Sequence, residues 1–196
     1  MSHVVEIGPD TDRDVAALGG KGAGLAFLTS TGVRIPPAFV ITADGYRAAV
    51  GPELRGEVAA RLAAIPGELG PEALEQQTTE VRRLILDGTE GHALTAEIRA
   101  GFEALRERTR DPDLCVAVRS SSIAEDAADK SFAGEHDTYL WVRDADEVER
   151  RVRECWASLI TTRAVAYRGA EGAGAEELAM AVVVQQMAPA RAAGCS

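Results

Sequence analysis

The stretch Leu178 to Met187 limits the possible folds more than any other segment. It is the longest apolar strand candidate, and its side chains alternate in size. Leu178, Met180, Val182 and Val184 form a bulky face, while Ala179, Ala181, Val183 and Gln185 form a smaller one ending in a polar group. A second run, Leu114 to Arg119, is almost continuously apolar, as expected of a central strand covered on both faces. It is expected to stop at Arg119-Ser120-Ser121-Ser122. Asp137 to Val142 alternates as a third strand. Val33 to Thr42 is rich in strand formers but holds Pro36-Pro37, which predicts an edge strand or one entered through a proline turn.

Helical spacing fills the intervals. Ala43 to Val50 reads as a helix, and so do the stripes Leu74, Thr78, Val81, Ile85 and Ile98, Phe102, Leu105. Asp144 to Ile160 is amphipathic, with Val148, Val152, Cys155, Trp156 and Leu159 on one face and a capping box offered by Asp144 and Glu147. A chain of 196 residues fits one compact domain or two small lobes sharing a hinge. The pattern divides it into 1–110, a glycine-rich loop, edge strand and helical subdomain, and 111–196, a strand and helix core.

Charge narrows the partners. The formal net charge of -10 repels phosphate backbones and anionic lipid, so neither nucleic acid nor membrane is expected. No apolar stretch approaches the roughly 18 residues needed to cross a bilayer, and the start lacks a secretory pattern, so a cytoplasmic protein is expected. Cys115, Cys155 and Cys195 match neither a disulfide framework nor a zinc site and read as free thiols. Of the 21 basic residues only Lys21 and Lys130 are lysines, so each surviving lysine calls for a reason.

Lys21 lies in Gly19-Gly20-Lys21-Gly22-Ala23-Gly24, which reads as a glycine loop leading into a short helix stopped by Gly32. Backbone amides, a helix N-terminus and a cation together suit an anion, whereas an ordinary turn with a solvated lysine explains the same residues. The run is not a Walker A loop, since Val15 stands where that motif needs glycine, and it lacks dinucleotide-binding spacing. Arg119 and the three serines after it could hold phosphate oxygens at the end of a sheet; the alternative is an arginine emerging into solvent. The serines have no hydrolase motif around them. Glu125-Asp126 and Glu135-His136-Asp137 could bind metal or exchange protons, although a solvated loop explains them more simply, and surface positions are expected for His3, His92 and His136.

Taken together, these segments resemble the ATP-binding domain of the PEP-utilising dikinases, the family of phosphoenolpyruvate synthase, pyruvate phosphate dikinase and rifampin phosphotransferase. The resemblance rests on Gly19-Gly20-Lys21 with Leu25, Gly32-Val33 through Pro36 to Thr42, Val116 to Ser122 with Glu125-Asp126, Ser131 to Gly134 followed by Asp137 to Leu140, Cys155 to Leu159 with Arg163 and Tyr167-Arg168, and Ala181 to Met187. Ala38, Glu135 and Ala127-Ala128 depart from the usual residues.

The resemblance implies an α+β fold, the amino-terminal lobe of an ATP-grasp type nucleotide-binding domain, with a mixed sheet and a helical insertion. It implies that Lys21 and Arg119 hold ATP phosphates and act in catalysis, that Gly134 and Thr138 belong to the loop over the nucleotide, and that Gln185 faces it. Gln185 ends the small-residue face, where a flat base could approach. The implied reaction passes a phosphoryl group from ATP to a carrier histidine on another domain and then to a small acceptor. Magnesium ligands, the second ATP-grasp lobe, the phosphohistidine domain and the acceptor domain would all lie outside these residues, so a fragment or split subunit, inactive alone, is expected. The alternative is a non-catalytic nucleotide-binding or interaction subunit whose partner supplies the second lobe.

Overall fold

The computed structural model describes residues 2–66, 69–123, 137–162, 165 and 179–188. Ten elements follow one another in these residues: β1 (Val4–Glu6), α1 (Val15–Ser30), β2 (Ala38–Ile41), α2 (Ala43–Ala63), α3 (Pro71–Gly88), α4 (Leu94–Thr109), β3 (Val116–Ser122), β4 (Thr138–Val142), α5 (Ala145–Ala157) and β5 (Met180–Gln186). The strands form one sheet in the order β1-β2-β5-β3-β4.

All four ladders are antiparallel. This corrects the expected mixed sheet. β2 and β3 do run in the same direction and are joined by a helical crossover through α2, α3 and α4, but β5 lies between them and opposes both. β2 begins directly after Pro36-Pro37 and is flanked by β1 and β5, so it is a strand entered through a proline turn, not an edge. β5 joins strands from before and after residue 110 into a single sheet.

The two faces of β5 explain the two layers. Met180, Val182 and Val184 enter a large core with the apolar stripes of α2, α3, α4 and α5, where Phe102, Ile85, Ile98 and Trp156 are all buried. Each such side chain contributes about 1.5–3 kcal/mol of burial. Trp156 meets Tyr46 edge to face, with ring centroids 5.9 Å apart. The small face, Ala181 and Val183, takes α1 together with Ala38, Val40, Leu18 and Ala26.

Local chemistry sets the helix ends. Asp14 caps α1 by accepting from the Ala16 N–H at 2.9 Å, and Asp144 caps α5 by accepting from the Glu147 N–H at 2.7 Å. Pro71 opens α3 in the first turn, where its missing N–H is harmless. His3 is half-buried, not simply a surface residue: its backbone N–H donates to the Glu97 carboxylate at 2.9 Å. His92 Nδ1 accepts from the Leu94 N–H at the start of α4. Cys115 and Cys155 are free thiols. No helix among the described residues is long and apolar enough to cross a membrane.

Candidate nucleotide site

Two expectations about this region are corrected by the structure. Gly20 to Gly24 is not a loop: these residues are helical, and the only non-helical residue within α1 is Gly19, at φ 67° and ψ 172°. α1 is thus two helices joined at a kink, and the second begins at Gly20 with Lys21 in its first turn. Nor does β3 stop at Arg119. It runs on through Ser120, Ser121 and Ser122, each paired with β5.

Both corrections have one cause, a clasp between α1 and β3. The Ser121 hydroxyl donates to the Leu18 carbonyl at 2.9 Å and accepts from the Gly22 N–H at 3.2 Å. Ser121 is fully buried, so its hydroxyl is a structural fastening and not a free phosphate ligand or nucleophile. Ser120, equally hidden, donates its hydroxyl to the Asp137 carbonyl at 3.3 Å. At Gly19 a Cβ would sit 2.6 Å from the Ser121 carbonyl carbon, and the backbone there is one that only glycine adopts readily. Gly22 lies directly over Val40, where a Cβ would meet a Val40 methyl at 3.3 Å. The glycines therefore serve close packing of a helix on a sheet.

Sheet register places the other site candidates. Opposed residues in an antiparallel ladder share a face. One row crosses the whole sheet, Val5–Val40–Val183–Arg119–Thr138, on the face that carries α1. The next row on that face is Ala38–Gln185–Ala117. Arg119, Thr138 and Gln185 thus stand on one face, on three neighbouring strands. Arg119 is half-buried and Thr138 exposed, and the Gln185 amide donates to the Pro36 carbonyl at 3.2 Å. Lys21, half-buried, stands on the helix that covers this face, between Gly19 and Gly22 of the clasp.

Beside α1 lies an open hollow of about 620 Å³, lined by Arg13, Val15, Gly20, Lys21, Ala23, Gly24 and Phe27. The Arg13 guanidinium sits 5.8 Å from the centre of the Phe27 ring. Lys21 and Arg13 bring two basic side chains to this hollow, although the chain as a whole is acidic.

Beneath β4, on the other face, burial and the 3.0 Å bond to Asp137 push the Tyr139 phenol well above the ordinary tyrosine range. Arg151 stacks 4.7 Å from the Tyr139 ring centre. Cys155 is also pushed up, first by burial and then by the Asp137 and Glu154 carboxylates, with the positive charges of Arg151 and Lys21 opposing the shift. A thiol held protonated in this way is inert as a nucleophile.

Gly134, Glu125-Asp126, Lys130, Ser131 to Ala133, Glu135-His136, Arg163, Tyr167-Arg168 and Cys195 lie outside the described residues. Among the described residues no group of three or more His, Cys, Asp or Glu could hold a metal ion.

An antiparallel sheet carries the clasped helix on one face, with Lys21 on that helix and Arg119 on a strand of that face, an arrangement that suits a nucleotide-binding lobe. The chain belongs to the family described as pyruvate phosphate dikinase, AMP/ATP-binding domain, whose match covers residues 15–196. It is 36% identical over 195 residues to a probable phosphoenolpyruvate synthase of Methanocaldococcus jannaschii, covering 99% of this chain and 16% of the relative. Against the phosphoenolpyruvate synthase of Pyrococcus furiosus the identity is 33%, covering 93% of this chain and 26% of the relative. A rifampicin phosphotransferase of Streptomyces sviceus is 37% identical over 98% of this chain and 22% of its own length. The chain thus spans between about a sixth and a quarter of these relatives.

Proposed function

We propose that this chain is the ATP-binding part of a phosphotransferase resembling phosphoenolpyruvate synthase or rifampicin phosphotransferase, and that its fold is the amino-terminal lobe of an ATP-grasp type site. Lys21 and Arg119 hold the ATP phosphates, Thr138, which opens strand β4 and is no loop residue, and Gly134 face the nucleotide, and Gln185 faces the base. The parent reaction passes a phosphoryl group from ATP to a carrier histidine on another domain and onward to a small acceptor. Cations aimed at the phosphate oxygens offset the charge that moves in that transfer. Magnesium, when bound, supplies further charge neutralisation from ligands on a second lobe.

The observation that carries this reading is the clasp. It fastens the start of the second α1 helix, with Lys21 in its first turn, to Ser121, two positions along β3 from Arg119. A helix N-terminus, a lysine and an arginine held by rigid elements suit a polyphosphate.

Calorimetric titration of the chain with ATP and magnesium tests it. Half of a two-lobed site leaves the nucleotide open to water, so each charge-assisted contact contributes only about 1–3 kcal/mol and the affinity is on the order of millimolar. Arg119→Ala should abolish binding. Micromolar binding indifferent to Arg119→Ala would place the nucleotide elsewhere, and ATP turnover by the pure chain that is lost in Lys21→Ala would show that no second lobe is needed.

A further inference from the structure

β4 contains one residue more than its partner strand accommodates. Val118 opposes Tyr139 and Val116 opposes Val142, so Leu140 and Trp141 together oppose Ala117. Ala117 also opposes Gln185 on its other side. The bulge therefore adds two large apolar side chains to the row Ala38–Gln185–Ala117, one row along from Arg119 and Thr138 and on the same face. Tyr139 and Val142 are packed in the opposite core, whereas Leu140 and Trp141 are 53% and 60% exposed.

Trp141 is also strained. Its φ is 63°, a left-handed conformation that bulky residues rarely adopt. A bulge can require one left-handed residue, for which glycine is the ordinary choice, so an exposed tryptophan there is a costly choice of the kind that clusters at functional positions.

We propose that the Leu140–Trp141 bulge is the stacking platform for the purine base of the bound nucleotide. The base lies on a shelf floored by the small side chain of Ala117, between the bulge and Gln185. Those two strands are separated by two ladder spacings, about 10 Å. The Gln185 amide nitrogen is turned to the Pro36 carbonyl, which leaves the amide oxygen as the acceptor for an exocyclic amino group. Arg119, one row away, takes the anionic tail. This inference rests on the ATP-site reading above and adds the base platform to it.

The test exploits the contrast between the two tryptophans: Trp156 is buried and Trp141 exposed. The chain is titrated with ATP and, separately, with inorganic tripolyphosphate, by calorimetry and by tryptophan fluorescence. ATP should quench the exposed tryptophan and tripolyphosphate should not. Trp141→Ala should remove the quenching and weaken ATP about tenfold, leaving tripolyphosphate affinity unchanged. Trp141→Gly relieves the backbone strain, so it should lose ATP affinity equally while its thermal midpoint stays the same or rises. If ATP affinity survives in both Trp141 variants but is lost in Arg119→Ala, the platform is refuted and the nucleotide site stands. If the Trp141 variants weaken ATP and tripolyphosphate alike, Trp141 acts through the fold and the platform is likewise refuted. Binding of neither ligand by the unaltered chain overturns both readings.

Discussion

The space that a side chain would need at Gly19 is occupied by Ser121. The Ser121 backbone meets the glycine where a Cβ would stand, and the Ser121 hydroxyl bridges the residues on either side of the kink, Leu18 and Gly22. Gly19→Ala combines a steric clash with a forbidden φ, and should destabilise the chain by about 3 kcal/mol or more. The midpoint of urea unfolding measures this. An unchanged midpoint would mean that α1 can detach from β3 at no cost.

Ser121→Ala removes the bridge but not the fit. Two buried backbone groups lose their partner, for a cost of about 1–3 kcal/mol. Because Lys21 is positioned by the same bridge, ATP affinity should fall together with stability. Parallel calorimetry and denaturant melts on Ser121→Ala would separate the two effects, and a variant that loses stability while binding ATP normally would detach Lys21 from the clasp.

Arg119→Lys keeps the charge but not the planar fork of donors. The expected ATP affinity lies between those of the native chain and Arg119→Ala. Affinity equal to the native value would reduce the role of Arg119 to a point charge.

Alkaline pH should destabilise the fold. Burial raises the pKa values of Cys155 and Tyr139 in the folded chain, so the unfolded chain ionises first and binds fewer protons. The associated stability is intact below the unfolded values, about 8.5 for a thiol and 10 for a phenol, and is lost progressively above them. Unfolding free energy measured from pH 8 to pH 11 should therefore fall, and Cys155→Ala should flatten the earlier part of the decline.

Helix capping offers a milder perturbation. Asp144→Ala should cost about 1 kcal/mol, because the Glu147 N–H loses its acceptor at the start of α5. Thermal melting would register it, and Asp144→Asn should restore most of the loss.

The elements legible in the sequence are those in which burial has a period. Val81 and Ile85 in α3, Ile98, Phe102 and Leu105 in α4, and the alternation along β5 all stand where spacing puts them. Gly20 to Gly24 reads as a loop because glycine is a poor helix former in isolation, while here Val40 and Ser121 leave no room for larger residues at Gly22 and Gly19. The serines after Arg119 look like the end of a strand until their hydroxyls are seen to be satisfied by Leu18 and by Asp137. An extra residue in β4 leaves apolar character intact and so leaves no mark of a bulge. Strand direction is equally silent, since antiparallel pairing of β5 on both sides changes no residue pattern. For the site, the rarity of lysine points to Lys21 and its place on an apolar strand points to Arg119, whereas the row that joins Arg119 to Thr138 depends on strand register.

The position of β5 bears on how the chain reaches this state. It is the last described strand in the sequence, yet it occupies the centre of the sheet. Until it is in place, β1 with β2 and β3 with β4 are two separate ribbons, each with an open inner edge and an apolar face. Both ribbons must wait for the same late segment, so the sheet closes in one long-range step, which slows folding and leaves two sticky edges bare in the meantime. An emerging chain that stalls before Met180 would present those edges to its neighbours, making this stretch of synthesis the period of greatest aggregation risk.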